Sequence, residues 1–320
     1  MPSATVAELL ATAASEGVAT DLDLVVLQGD AVVLEHRVGG ASAWDLASLT
    51  KVLVGAPLSC AAIDAGELCF GSRVCDVLPG IDPRVSVAQL LSHSSGLPAW
   101  LPLYETASSR AEVLSQARTT PLEAVPGERH RYSDIGFLVL CALLEELGGA
   151  RVDTLVGPLE GLSWGHVAAA PTERCPVRGC VVRGEVHDLN CAAMEGVSTH
   201  AGLFGDALAV ARLGRGQLLR SREDSAIAWA WRHRGAGSHV LGWDGRSEPS
   251  SSGAFFPPDA VGHLGFTGTS LWIAPSQDVV VVLLTNRVHP SVEDLRIRSL
   301  RPAVHDAVVS DLRSRGLWVG

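Results

Sequence analysis

Between Ser48 and Ala65 the chain reads Ser-Leu-Thr-Lys-Val-Leu-Val-Gly-Ala-Pro-Leu-Ser-Cys-Ala-Ala-Ile-Asp-Ala, apolar on almost every side and closed by Gly66. A helix without a polar face has to be covered all round, so the fold must pack other layers against it from several directions. The stretch carries one cation, Lys51. Of the 25 basic residues in the chain, 24 are Arg and Lys51 is the one Lys. A guanidinium stays protonated at any working pH, whereas a buried amine can lose its proton and act as an acceptor. Lys51 follows Ser48 by three positions, which on a helix sets both on one face one turn apart. The pattern nominates Ser48 as a nucleophile and Lys51 as the base that takes its proton. Neutralising a lysine near pH 7 from its usual ~10.4 needs roughly 4 to 5 kcal/mol of bias, and burial in an apolar helix beside another cation is expected to supply it.

Composition narrows the partners. With 320 residues, 47% of them hydrophobic and 19% charged, the chain can bury a large core as one big domain or two closely packed ones. A net charge of -10 without a basic cluster disfavours nucleic acid and anionic membrane surfaces, which leaves small molecules as the expected clients. The segment Met1 to Glu8 has no basic stretch ahead of its apolar residues, so a cytoplasmic location is expected. Apolar runs at 52–63, 137–144 and 279–284 are shorter than the ~20 residues of a membrane span. Seven cysteines, an odd number, are expected to be reduced thiols.

Periodicity supplies the organisation. Residues 6–16 have helical spacing, 22–28 and 31–37 read as strands around the Gln28-Gly29-Asp30 turn, and 48–65 reads as one buried helix. From about 67 to 205 the pattern changes to short helices and Pro/Gly-rich loops, the clearest helix being 134–147 before Gly148-Gly149. Strands are expected again at 238–243, 263–274 and 278–286, then a mobile loop is assigned to 247–258 and a closing helix to 291–315. The expected division is a sheet subdomain from 1–66 and 206–320, an inserted mainly helical subdomain from 67–205, and an active site between them.

Three further runs follow Ser48 in order. They are Gln89-Leu90-Leu91-Ser92-His93-Ser94-Ser95-Gly96-Leu97-Pro98, Arg131-Tyr132-Ser133-Asp134-Ile135-Gly136 and Gly262-His263-Leu264-Gly265-Phe266-Thr267-Gly268-Thr269. Together with S-x-x-K they resemble the motifs of the superfamily that holds class C β-lactamases, D-alanyl-D-alanine carboxypeptidases and family VIII esterases. The resemblance covers about residues 20 to 290. It implies an α+β, β-lactamase/transpeptidase-like fold, an antiparallel sheet flanked by helices with the helical insertion. It also implies Ser48, Lys51, Tyr132, His263 and Phe266 as the catalytic set, with no cofactor and no metal.

Each of these residues has a job in plain chemistry. The Tyr132 phenol can share the Ser48 proton with Lys51, as one coupled base. Gly265 permits close approach to a strand edge, and the Phe266 and Ser48 N–H groups can form a two-donor oxyanion hole. His263 either orients a substrate carboxylate or the Tyr132 phenol, or only hydrogen-bonds within the sheet. Asp134 stands where β-lactamases have Asn; it opposes an anionic substrate, or it caps the helix that follows, the role favoured here. Asp134, Gly265, Thr267 and His187 are the expected substrate-binding residues. His93 is read as a structural hydrogen-bonder, because the G-x-S-x-G elbow is absent. Cys175, Cys180, His187 and His200 lack metal-ligand spacing.

The expected chemistry is hydrolysis of a small ester or amide through an acyl-Ser48 intermediate. An acyltransferase, a D-aminopeptidase, carboxypeptidase or β-lactamase, and a non-catalytic binding protein on the same fold are the alternatives.

Overall fold

The computed structural model describes residues 4–235 and 237–319. Its framework is a seven-stranded antiparallel sheet built from both ends of the chain. Strands β1 (Leu22–Gln28) and β2 (Ala31–Val38) form the N-terminal hairpin; β3 (Trp44–Asp45), β4 (Leu162–Trp164), β5 (Arg174–Cys175), β6 (Cys180–Val181) and β7 (Leu203–Gly205) lie outside the main sheet. Strands β8 (His239–Val240), β9 (Trp243–Gly245), β10 (Val261–Leu264), β11 (Ser270–Ala274) and β12 (Val279–Thr285) complete it in the order β2-β1-β12-β11-β10-β9-β8. The first hairpin and the last strands therefore meet, with Leu22 opposite Thr285 and Gln28 opposite Val279.

Alternation sorts the two faces. Leu22, Leu24, Val26, Val279, Val281 and Leu283 point to one side, where they pack with helices α1 (Val6–Ser15) and α10 (Ile297–Ser314). Val25, Leu27, Val280, Val282 and Leu284 point to the other, into the larger core. Because both faces are covered, β1 and β12 are apolar nearly throughout. The larger core receives the buried segment from residue 48 onward, helices α2 (Ala56–Asp64), α3 (Val87–Leu91), α4 (Arg110–Thr119), α5 (Asp134–Gly148) and α6 (Val152–Val156), and then α7 (Leu189–Ala193), α8 (Ala207–Arg220) and α9 (Ala226–Arg232). No described helix is long and apolar enough to cross a membrane.

Four sequence expectations change. The helix expected over 48–65 is interrupted by a π-helical turn at Lys51–Gly55, which closes with the Ala56 N–H donating to the Lys51 carbonyl. Pro57 has no N–H to continue the usual ladder, and a wider turn absorbs the gap. The run 263–274 is two strands rather than one. A Cβ on Gly265 would collide with the Thr269 hydroxyl and come 2.7 Å from the Leu46 carbonyl oxygen, and Gly268 adopts φ +110°, so the chain folds back there. Likewise, 238–243 is a tight β8–β9 hairpin turning at Leu241-Gly242 rather than a single strand. The closing helix starts at Ile297 instead of 291.

Helix α10 is tied to the sheet by a buried imidazole. His305 Nδ1 donates to the Ser251 carbonyl and Nε2 accepts from the Ser270 hydroxyl of β11, at 2.9 and 3.1 Å. Burial holds its pKa down at about 4. Since an unfolded His takes up a proton near pH 6.5, the unfolded chain binds more protons between about pH 6.5 and 4, and stability falls with pH across that window by up to about 1.4 kcal/mol per unit for this group. Denaturant unfolding of wild type and His305→Gln at pH 7, 6 and 5 is expected to show a shallower acid loss in the variant; parallel losses would remove His305 as a source.

Candidate active site

Ser48 is presented by a strained turn. Strand β3 pairs with β7, and the Leu46 N–H donates to the Leu203 carbonyl, which anchors the chain two residues before the serine. The buried Asp45 carboxylate then accepts from the Ala47 N–H at 2.8 Å and the His187 N–H at 2.6 Å. Ala47 is held at φ +48°, a region that β-carbon-bearing residues rarely occupy. Local strain of this kind collects at functional sites, and here it turns the Ser48 side chain out of the core.

Lys51 is fully buried, and its Nζ lies 2.9 Å from Ser48 Oγ, 2.7 Å from Asp134 Oδ1 and 3.4 Å from the His200 carbonyl oxygen. The Tyr132 ring centroid is 4.9 Å from the ammonium. The sequence expectation of a neutral amine is reversed by this arrangement. Burial alone would lower the lysine pKa, but the Asp134 charge and the adjacent Tyr132 outweigh it, and the amine is held above its ordinary value. Lys51 therefore rests as an ammonium paired to a carboxylate. Burial raises the Tyr132 phenol as well, against the downward pull of Lys51. The expected capping role of Asp134 is also corrected, since Ser133 is the N-cap of α5 and accepts from the Gly136 N–H at 2.9 Å. With the cap already supplied, Asp134 is free to face Lys51.

Across from Ser48 the β10–β11 loop approaches closely, Gly265 packing against Leu46 and Ala47. The Gly265 carbonyl accepts from the Gly268 N–H, closing a turn in which Phe266 and Thr267 are the middle residues. Among the described residues neither the Phe266 N–H nor the Ser48 N–H has a protein acceptor. Two free donors beside a nucleophile can receive a developing oxyanion. Thr267, expected to contact substrate, is buried and its hydroxyl donates to the Asp45 carbonyl at 2.7 Å, so it secures the loop to β3 instead. His187 stacks 5.4 Å from the half-exposed Phe266 ring at the rim.

Sequence reading missed a cluster of imidazoles. His93, His239 and His263 bring ring nitrogens within 4.8 Å of one another, and His130 stacks on His239 at 4.6 Å. His239 lies on a segment outside any motif, and His130, although it directly precedes the Arg131-Tyr132-Ser133-Asp134 run, is not part of the motif, so no local pattern marks either. His263 Nδ1 donates to the Leu264 carbonyl, which leaves a lone pair on Nε2; His93 Nδ1 accepts from the Ser133 N–H, which puts the proton on Nε2. Both Nε2 atoms lack protein partners. A metal needs a lone pair from each imidazole, and the protonated His93 Nε2 does not offer one, so the trio does not fit a three-histidine metal site. Burial keeps His93, His239 and His263 neutral, His239 at about 3. Together they form a wall of neutral donors and acceptors beside Tyr132, whose ring is 4.5 Å from His93 and 5.8 Å from His263.

The segment from Cys175 to His200 supports this site from behind. Cys175 and Cys180 face each other on the β5–β6 hairpin, while His200 hydrogen-bonds Asp188 at 3.0 Å and Ser198 at 2.7 Å and offers its carbonyl to Lys51. Burial would raise the Asp188 carboxyl, but His200 and the Cys191 N–H bring it down to about 2.

Comparison with known proteins agrees with this geometry. The family model described as Beta-lactamase matches residues 3–304. An N-acetylmuramyl-L-alanine amidase of Bacillus subtilis (strain 168) is 30% identical over 78% of this chain and 69% of its own length. A putative D-alanyl-D-alanine carboxypeptidase of Escherichia coli (strain K12) is 27% identical over 78% and 70%. Among solved structures, EstCE1, a hydrolase with promiscuous acyltransferase activity, superposes with a TM-score of 0.75 at 18% identity, covering 95% of this chain and 97% of that one, which establishes a shared fold.

Because Lys51 is the one lysine in the chain, selective 13Cε-lysine labelling yields one side-chain NMR signal to follow against pH. In Asp134→Asn the charge that raises the amine is gone while the burial that lowers it remains, so the midpoint is expected to move down by roughly 1 to 3 units, the usual worth of a contacting opposite charge. An unmoved midpoint would show that the carboxylate does not set the charge of Lys51.

Proposed function

The chain belongs to the beta-lactamase family, and from that premise we propose that it is a serine hydrolase that cleaves a small ester or amide through an acyl-Ser48 intermediate. The observation that carries this reading is the 2.9 Å contact between Lys51 Nζ and Ser48 Oγ at the foot of two unpaired N–H groups. Ser48 Oγ bonds to the acyl carbon while its proton passes into the set formed by Lys51, Tyr132 and Asp134. Lys51 and Tyr132 lie at contact distance and act as one coupled base, with Asp134 hydrogen-bonded to the amine. The Ser48 and Phe266 N–H groups receive the oxyanion, the departing oxygen or nitrogen takes a proton from the same set, and water then releases the acyl group.

Charge supports a substrate without its own carboxylate near the scissile bond. Asp134 occupies the place of an amide that β-lactamases use, and the imidazoles opposite are neutral. Among the described residues a carboxylate there would meet a negative charge and no unpaired cation, whereas a neutral ester or amide meets only hydrogen-bonding groups.

A fluorophosphonate probe is expected to add once to the wild type by intact mass and not at all to Ser48→Ala. Lys51→Arg preserves the pairing with Asp134 but removes the transferable proton, and is expected to lose roughly 10²- to 10⁴-fold in kcat on p-nitrophenyl esters, the usual range for a general base. An unlabelled wild type, or full turnover by Lys51→Arg, would overturn the assignment. A chromogenic cephalosporin and D-amino-acid amides are expected to turn over more slowly than the neutral esters.

A further inference from the structure

Among the described residues, two arginines are buried behind the β10–β11 loop with no carboxylate in direct contact with them. Arg301 of α10 and Arg287, just beyond β12, are each 7% exposed, and among the described residues no carboxylate pairs with either. An unpaired buried cation is costly and is retained only where its hydrogen bonds matter. All of these bonds go to main-chain carbonyls. Arg301 Nη2 donates to the Gly265 oxygen at 2.6 Å and Nε to the Gly268 oxygen at 3.2 Å; Arg287 Nε donates to the Phe266 oxygen at 2.8 Å, with its guanidinium 4.6 Å from the Phe266 ring. One helical turn on, His305 bonds Ser270 at the start of β11, so a single face of α10 grips both ends of the loop.

Peptide planarity turns this grip into a statement about the site. The Gly265 carbonyl and the Phe266 N–H belong to one peptide plane and point in opposite directions. Holding the oxygen toward α10 therefore aims the N–H away from it, to the side where Ser48 lies. A charged donor on the carbonyl also polarises the amide and strengthens its N–H as a donor.

We propose that Arg301 is a positioning residue for acyl transfer, fixing and polarising the Phe266 N–H as an oxyanion donor through the Gly265 carbonyl. This rests on the acyl-Ser48 reading above. Arg287 steadies the next peptide; of the two guanidiniums, Arg301 is the one on the plane that carries the donor, where it adds a charged bond to the one from the Gly268 N–H. The fork of a guanidinium spans Gly265 and Gly268 together in a fixed geometry, which a lysine at 301, a point charge on a flexible stem, does not reproduce.

The test uses Arg301→Gln and Arg301→Lys, each checked for native thermal unfolding, with p-nitrophenyl acetate and its thiono analogue as paired substrates. Loss of one oxyanion donor costs roughly 10²- to 10³-fold in kcat, and a donor left in place but unaligned is expected to cost Arg301→Gln a tenth or so of that, about 10- to 100-fold, with KM little changed. Sulfur accepts hydrogen bonds poorly, so the wild type is expected to prefer the oxygen ester strongly, and the variant to lose most of that preference. Arg301→Lys should fall between, and it replaces the Gln variant as the readout if that one does not fold. Equal slowing of both substrates, or an unchanged oxygen-to-sulfur ratio in a folded variant, would overturn the proposal. A wild type that takes up no fluorophosphonate at Ser48 would fail the acyl-enzyme reading itself, a result distinct from either.

Discussion

The ion pair between Lys51 and Asp134 is the contact on which the site depends. A buried ammonium without a partner would shed its proton or drag in water, and a carboxylate without one would repel any electron-rich acyl group. Joined at 2.7 Å, they lock the start of α5 to the π-helical turn behind Ser48 and leave the other two hydrogen-bonding directions of the amine for the Ser48 hydroxyl and the His200 carbonyl. The pair also spans the division between the segment after residue 48 and the helical stretch that carries Tyr132, so that the site is assembled by the same contact that packs them.

Around that pair the site is arranged in opposites. One wall is charged yet balanced, with Lys51 and Asp134 in contact; the other holds imidazoles kept neutral by burial, with a free donor on His93 and a free acceptor on His263. Beyond the loop, two guanidiniums are spent wholly on carbonyl oxygens. Positive charge is thus abundant near the nucleophile, but almost none of it faces the cleft directly. What reaches the cleft is its effect on N–H groups and hydroxyls, a form of electrostatics that costs no reorganisation during the reaction.

The local turns make the same point about strain and space. Ala47 at φ +48° and the clash-limited Gly265 bring two backbone segments together where side chains of ordinary size would hold them apart. Thr267 and Thr269 then fasten the loop to Asp45 and Leu46 with their hydroxyls. Thr267, expected from the sequence to contact substrate, is a structural tie in the fold, because a hydroxyl beside a buried carbonyl is worth more to stability when it is satisfied there.

Much of this protein is legible in its sequence. Alternation and apolar runs located the N-terminal hairpin, β12 and α5 because these are local patterns with a fixed period, and S-x-x-K paired Ser48 with Lys51 because three residues make most of a helical turn. What failed was non-local. The break in 263–274 came from Gly265 and Gly268 meeting other segments, and the π-helical turn from the missing N–H of Pro57. The charge of Lys51 was set by Asp134, 83 residues away, against the burial that the helix alone implied. The imidazole cluster and the grip of Arg301 on Gly265 join positions that share no period and no motif. Residue type and spacing specify which groups exist and which elements carry them; only the packed chain decides which of them touch, and therefore which protons and dipoles the nucleophile feels.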